Sequence, residues 1–109
     1  MKNSLVIIGA GGHGRVCAEI AELNGYKKIL FLDDGNVGNI EIAGKTEDFI
    51  KYLSDCDFFV AIGNNNVRRS FLYRIMENKG QIATLIHPDS TVSAHATVGV
   101  GTAVLAGAV

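Results

Sequence analysis

Very little net charge is present in this 109-residue chain: eleven acidic and ten basic side chains leave −1 at neutral pH. The charges are dispersed, so no basic stripe is available to track a nucleic-acid backbone. Long apolar runs are missing as well. The amino terminus carries one lysine and then Leu5-Val6-Ile7-Ile8, which stops at Gly9. That run is too short for a signal peptide or a membrane span and reads as a buried strand. Cysteine is scarce, with only Cys17 and Cys56. Neither has metal-ligand spacing and no export signal precedes them, so free thiols in a reducing, cytoplasmic setting are expected, with no metal site. Proline occurs once, as Pro88, and from Ser90 onward there is no Asp, Glu, Lys or Arg. What remains is 48% hydrophobic residues and 13 glycines, a balance that suits one compact α/β domain.

The densest local signal is Gly9-Ala10-Gly11-Gly12-His13-Gly14, directly behind the first apolar run and ahead of a helical pattern. Four glycines in six positions leave backbone N–H groups uncovered by side chains. The positive end of the following helix adds to them, so the turn suits a phosphate or pyrophosphate.

Along the chain, apolar strands alternate with helical periodicity. Strands are expected at residues 4–8, 29–32, 58–62 and 82–86. The apolar positions Val16, Ile20 and Leu23 predict a helix over 13–24 that stops at Gly25. Thr46 is expected to cap a short helix containing Phe49, Ile50 and Leu53, with Glu47 and Asp48 in its first turn. Val67, Phe71 and Ile75 mark a longer helix with Gly80 as its C′ residue. Such alternation implies a Rossmann-like, doubly wound parallel sheet with flanking helices.

The pattern changes at His87-Pro88. Val92, Val98 and Val104 recur every six residues, each followed by small residues. A six-residue period is a β-helix signature, and three hexads make one triangular coil. The expected division is a nucleotide-binding domain at 1–86 and the first coil of a β-helix at 87–109. One coil cannot bury its own face, so the chain reads as truncated in mid-repeat, with a charge-poor final strand of the sheet as the plainer alternative.

Taken together, Gly-x-Gly-Gly-His-Gly at 9–14, Leu32-Asp33-Asp34, Ile62-Gly63-Asn64-Asn65-x-x-Arg68, Leu85-Ile86-His87-Pro88 and the aliphatic hexads resemble a family. It is that of the bacterial sugar O- and N-acyltransferases of the sialic-acid O-acetyltransferase type, with the UDP-4-amino-sugar N-acetyltransferases as close relatives. The resemblance covers nearly the whole chain. It implies a βαβ domain that holds the UDP part of a UDP-linked amino sugar, then a left-handed parallel β-helix that forms a homotrimer and binds acetyl-CoA between subunits. Residue by residue, it puts Gly11, Gly12 and His13 against the diphosphate and Asp33 and Asp34 against the uridine. Gly63, Asn64 and Arg68 complete the pocket. A cation in the first turn of a helix opposes the helix dipole, so Arg68 needs a compensating reason to be there. The general-base histidine of the family lies in coils beyond Val109, so this chain alone is expected to bind without catalysing.

Plainer readings stand beside these. The glycines also allow close helix–strand packing, Asp33-Asp34-Gly35 is an ordinary loop signal, and Asn64, Asn65 and Asn66 are good caps. His87 reads as a junction residue and His95 as an exposed hexad corner. The spacing Gly9-x-Gly11-x-x-Gly14 with Asp33 nineteen residues later also satisfies the dinucleotide fingerprint. An NAD-binding oxidoreductase module is therefore the second expectation, and a non-catalytic regulatory domain the third.

Overall fold

In the computed structural model, which describes residues 2–35, 38, 40–86 and 103–104, strands and helices alternate as the sequence predicts. The order is β1 (Ser4–Ile8), α1 (Gly12–Leu23), β2 (Lys28–Leu32), a 3₁₀ helix (Thr46–Tyr52), β3 (Cys56–Val60), α2 (Asn65–Glu77) and β4 (Gln81–Ile82). A separate pair, β5 (Leu85–Ile86) and β6 (Ala103–Val104), follows. The main sheet is wholly parallel in the order β2-β1-β3-β4. β1 lies in the middle, with Ile8 opposite Leu32 on one side and Val60 on the other.

Both faces of this sheet are covered, which is why its strands are continuous apolar runs. Alternate residues divide the core in two. Leu5, Ile7 and Phe59 pack with Cys17, Ile20 and Ala21 of α1, whereas Val6, Ile8, Phe58 and Val60 pack with Phe49, Phe71 and Ile75. Phe49 anchors the 3₁₀ helix, edge-on to Phe58 at 6.3 Å and to Phe71 at 6.1 Å between centroids. Arg74 of α2 lies over both Phe49 and Phe71, at 5.0 and 5.3 Å from their ring centres, and forms a two-pronged ion pair with Glu47. The cation is thereby tied to the carboxylate and to two ring faces at once.

Several local expectations need correction. The helix over 12–23 exists, but its buried stripe is Gly14, Cys17, Ile20 and Ala21, while Val16 is 41% and Leu23 57% exposed. Small side chains at Gly14, Cys17 and Ala21 let α1 approach the sheet closely, so this stripe faces inward with Ile20 while Val16 and Leu23 flank it. Val67 and Ile50 are likewise exposed, leaving Phe71, Ile75 and Phe49 as the buried positions of their helices. Thr46 is not the cap of the 3₁₀ helix. Lys45 holds that position and Thr46 is the first helical residue.

Gly25 does close α1, at φ +101°. At the end of α2, however, the left-handed residue is Lys79, at φ +64°, and Gly80 follows it. The N–H of Gly80 donates to Ile75 O and that of Lys79 to Met76 O, the paired bonds of a Schellman ending. Gly80 is needed for space, because a Cβ there would lie 2.6 Å from Ile75 Cγ2. Relieving the strained lysine with Lys79→Gly is expected to stabilise the fold by about 0.5–1 kcal/mol, raising the melting temperature by roughly 3–6 °C in a calorimetric scan.

The expected strand over 82–86 is two strands. β4 pairs with β3, Ala83 N donates to Phe58 O at 2.8 Å, and the chain then leaves the sheet so that β5 pairs with β6. β5 is held to the end of α1 by Asn24, whose Nδ2 donates to Ile86 O at 2.6 Å and whose Oδ1 accepts from Ile86 N at 3.0 Å. At the amino ends of the strands Asp57 is buried, accepting from Tyr26 Oη at 2.7 Å and Lys2 N at 3.0 Å. Burial and that carboxylate push the Tyr26 phenol well above its ordinary range. Both cysteines are free and buried. His87, His95 and the hexads at 91–102 lie outside the described residues.

Candidate functional site

Three loops converge at the carboxyl edge of the sheet: the glycine turn after β1, Asp33-Asp34 after β2 and Gly63-Asn64 after β3. This is the edge at which open α/β sheets take ligands. Backbone bonds hold the strand ends together, with Gly9 N donating to Leu32 O and Ala61 N to Ile8 O, both at 2.8 Å.

The glycines of the turn divide into two kinds. Gly9 has φ +107°, and a Cβ there would come 2.6 Å from Ala61 O. A Cβ on Gly14 would collide with the Gly9 carbonyl, 3.1 Å from its carbon. Those two glycines serve packing. Gly11 and Gly12 have nothing within 4 Å of an added Cβ, so open space lies before them. Gly11 is the N-cap of α1 and offers no side-chain cap, and the first turn of the helix contains no acid. The N–H groups of Gly12, His13 and Gly14 consequently have no acceptor among the described residues. Uncovered donors at the positive end of a 12-residue helix are suited to an anion.

Asp33 sits beside that turn and is half-buried. Its Oδ2 accepts from Ala10 N at 2.9 Å and its Oδ1 from Gly35 N at 2.8 Å. The carboxylate therefore joins the glycine turn to its own loop, and it keeps lone pairs free for a further donor. Asp34 turns the other way. Its Oδ1 accepts from Thr46 N at 2.9 Å, and both its oxygens lie 3.0 Å from Thr46 Oγ1. These bonds hold Asp34 below the usual carboxylate range, as Arg74 does for Glu47. Because both folded-state values are depressed, the stabilisation is complete above the ordinary carboxylate range and disappears as pH falls through the lowered values. Melting temperature is thus expected to be level from pH 7 to about 5 and to drop below about pH 4, less steeply in Asp34→Asn and Glu47→Gln.

An open depression of about 480 Å³ adjoins Asp33, lined also by Gly35, Ile40, Ile42, Gly44, Lys45 and Asp48. On the other side, Asn64 caps α2, accepting from Asn66 N and Val67 N at 3.0 Å each. Gly63 is exposed with open space around it. Arg68 is exposed, and its Nη2 donates to Asn65 Oδ1 at 2.6 Å. His13 is exposed, with its ring 6.5 Å from that of Phe59.

Arg15 carries the same signal as Arg68, a cation in a helix's first turn, and was not singled out from the sequence. Its guanidinium reaches the loop after β2, 3.7 Å from where a Cβ on Gly38 would lie. It has no salt-bridge partner among the described residues. The described residues also contain no cluster of His, Cys, Asp and Glu suited to a metal ion, and no helix long and apolar enough to cross a membrane.

Residues 4–75 match the family model described as the PglD N-terminal domain. The chain belongs to that family. It is 33% identical over 115 aligned residues to the UDP-N-acetylbacillosamine N-acetyltransferase of Bacillus subtilis (strain 168), covering 97% of this chain and 52% of the relative. Among solved structures it is similar to the acetyltransferase domain of PglB from Neisseria gonorrhoeae in complex with acetyl coenzyme A. That match has 40% identity and a TM-score of 0.85, over 97% of this chain and 54% of the other. It is also similar to PerB from Caulobacter crescentus in complex with CoA and GDP-perosamine, at 30% identity and a TM-score of 0.82 over 95% and 52%. The chain thus spans about half the length of the relatives it matches.

Proposed function

We propose that this chain is the substrate-holding half of an acetyl-CoA-dependent sugar N- or O-acetyltransferase of surface-glycan biosynthesis, and that its carboxyl-edge crevice binds a UDP-linked amino sugar. The observation that carries this is the row of unpartnered N–H groups at Gly12–Gly14, with open space before Gly11 and Gly12 and a carboxylate already fixed in position beside them. In this reading the diphosphate lies before Gly11, Gly12 and His13, with Arg15 and Arg68 as flanking cations. Asp33 accepts from a ribose hydroxyl or the uracil N–H. Asp34 contributes to the uridine pocket by fixing the same loop through its bonds to Thr46. Gly63 and Asn64 form the far wall. The depression over Ile40 and Ile42 offers an apolar surface for a planar base.

The remainder of the proposal concerns the segment after residue 86. The β5–β6 ladder is parallel, with Leu85 opposite Ala103 and Ile86 opposite Val104, eighteen residues apart in sequence. Eighteen residues are three hexads, the length of one triangular coil, and Ile86 stands in the register of Val92, Val98 and Val104. This supports a division into a nucleotide-sugar domain at 1–86 and the start of a left-handed β-helix at 87–109. The homotrimer and the cytoplasmic setting belong to the same proposal.

Acetyl-CoA is not placed on the described residues; its site belongs with the β-helix part of the proposal. Besides the crevice, the described residues include open dishes of about 360 Å³ along the outer edge of β2 and about 410 Å³ beside Asp57. Neither would sheathe a pantetheine arm. No acyl-transfer step is assigned to these residues.

Calorimetric titration with UDP, UDP-N-acetylhexosamines, CMP-sialic acid and NAD tests the reading. Uridine nucleotides are expected to bind in the micromolar range and NAD not at all. Micromolar NAD binding without a response to uridine nucleotides would instead make this a dinucleotide module.

A further inference from the structure

One buried side chain, Cys17, lies behind the glycine turn without lining the crevice. Cys17 is fully buried one helical turn after His13, and its Sγ lies 3.7 Å from His13 Nε2. Residues at i and i+4 share a helix face, so the contact is built into α1. Burial pushes the Cys17 thiol up to about 11, so at neutral pH it is an S–H group and not a thiolate. The contact can run either way, Nε2–H to sulfur or S–H to Nε2, and the thiol is the better donor than acceptor, which favours the second. A neutral imidazole has one donor and one acceptor nitrogen, so Nε2 as acceptor leaves the ring proton on Nδ1. Nδ1 has no partner among the described residues. The Phe59 ring lies beside the imidazole, tilted at 57° to it.

We propose that Cys17 is a positioning residue for the anion site: its thiol, bonded to His13 Nε2, locks the imidazole in the Nδ1–H tautomer and so presents a neutral N–H donor to a diphosphate oxygen. The binding half of this statement rests on the nucleotide-sugar reading above. The tautomer half stands without it. That N–H adds one more donor to those of Gly12–Gly14. Cys17 thereby acts on an anion it does not touch.

NMR of the 109-residue chain with ¹⁵N-labelled histidine tests the tautomer directly, with the His13 signals assigned by their loss in His13→Gln. The unmodified chain and Cys17→Ser, which keeps a donor at the same place, are expected to show the proton on Nδ1. Cys17→Ala is expected to revert to the Nε2–H form that an unconstrained imidazole prefers. In parallel titrations, Cys17→Ala is expected to bind UDP about tenfold more weakly, the scale of one hydrogen bond to a charged acceptor, with recovery in Cys17→Ser. Uridine, which has no phosphate, is expected to bind all three chains alike.

A proton on Nε2 in the unmodified chain overturns the proposal and needs no variant, so the test survives a Cys17→Ala chain that fails to fold. A Cys17→Ala chain that switches tautomer yet binds UDP as tightly as the unmodified chain overturns it too. An unmodified chain with the Nδ1–H form that binds neither UDP nor uridine supports the Cys17–His13 lock and overturns the nucleotide reading instead.

Discussion

Gly14→Ala is expected to destabilise the fold by about 3 kcal/mol, lowering the melting temperature by roughly 12–24 °C, whereas Gly12→Ala two residues earlier leaves it unchanged or slightly raised. The difference lies in what each new methyl group meets. At position 14 it strikes the Gly9 carbonyl, which is backbone and therefore has no rotamer by which to escape. Gly9 has little room to move, because its N–H is bonded to Leu32 O at 2.8 Å and Ala61 O closes its other side. The helix would have to lift off the strand ends, opening the core around Ile7 and Cys17. At position 12 the methyl group enters open space at the first helical residue, where alanine is a better helix former than glycine. The same methyl group stands where the diphosphate is proposed to lie, so Gly12→Ala is expected to weaken UDP by about tenfold at constant stability. Circular dichroism melts and UDP titrations of the two variants read both effects. Equal melting temperatures would show that the turn is not close-packed as described.

The second large effect is expected at Asp33. Asp33→Ala should weaken UDP by about a hundredfold or more and cost about 1–3 kcal/mol of stability. The stability loss follows from Ala10 N and Gly35 N, whose shared acceptor disappears. The binding loss has two sources: the removed contact to uridine and the slackened glycine turn. Asp33→Asn separates them in part. Its single oxygen can still accept one of the two backbone N–H groups, while its amide group faces the other as a second donor. An intermediate stability loss is expected, with binding still strongly reduced. If Asp33→Ala bound UDP within twofold of the unmodified chain, the proposed crevice would be in the wrong place.

The place of the candidate site was legible because the crevice proposed for the nucleotide is made largely from backbone at strand ends. Glycines at 9, 11, 12 and 14 and acids at 33 and 34 follow apolar strands, and strand ends in a parallel sheet share one edge. What each residue does there was less legible. Gly9 and Gly14 proved to be packing glycines while Gly11 and Gly12 face open space, a distinction set by where Ala61 O and the Gly9 carbonyl lie. Asp33 and Asp34 are adjacent and alike in composition, yet one bonds the glycine turn and the other bonds Thr46. Asn64 turned out to be the cap of α2, the plainer of its two readings. Arg15 went unnoticed although its position in a first turn without acids carries the same dipole argument as Arg68.

The sequence by itself determined the succession of strands and helices, the parallel class of the sheet and the place of the glycine turn. All of these follow from apolar periodicity and from glycine, asparagine and aspartate punctuation, which act over a few residues. Only the tertiary structure decided which stripe of α1 is buried, because Gly14, Cys17 and Ala21 win over Val16 and Leu23 through close approach to the sheet. It also decided the bonds from Asp33 to Ala10, 23 residues apart, and from Asn24 to Ile86, 62 residues apart. The break of the expected last strand between β4 and β5 belongs with these, since the chain leaves one sheet there and pairs in another. A partner that distant is selected by which surfaces pack together, and local preference contains no information about it.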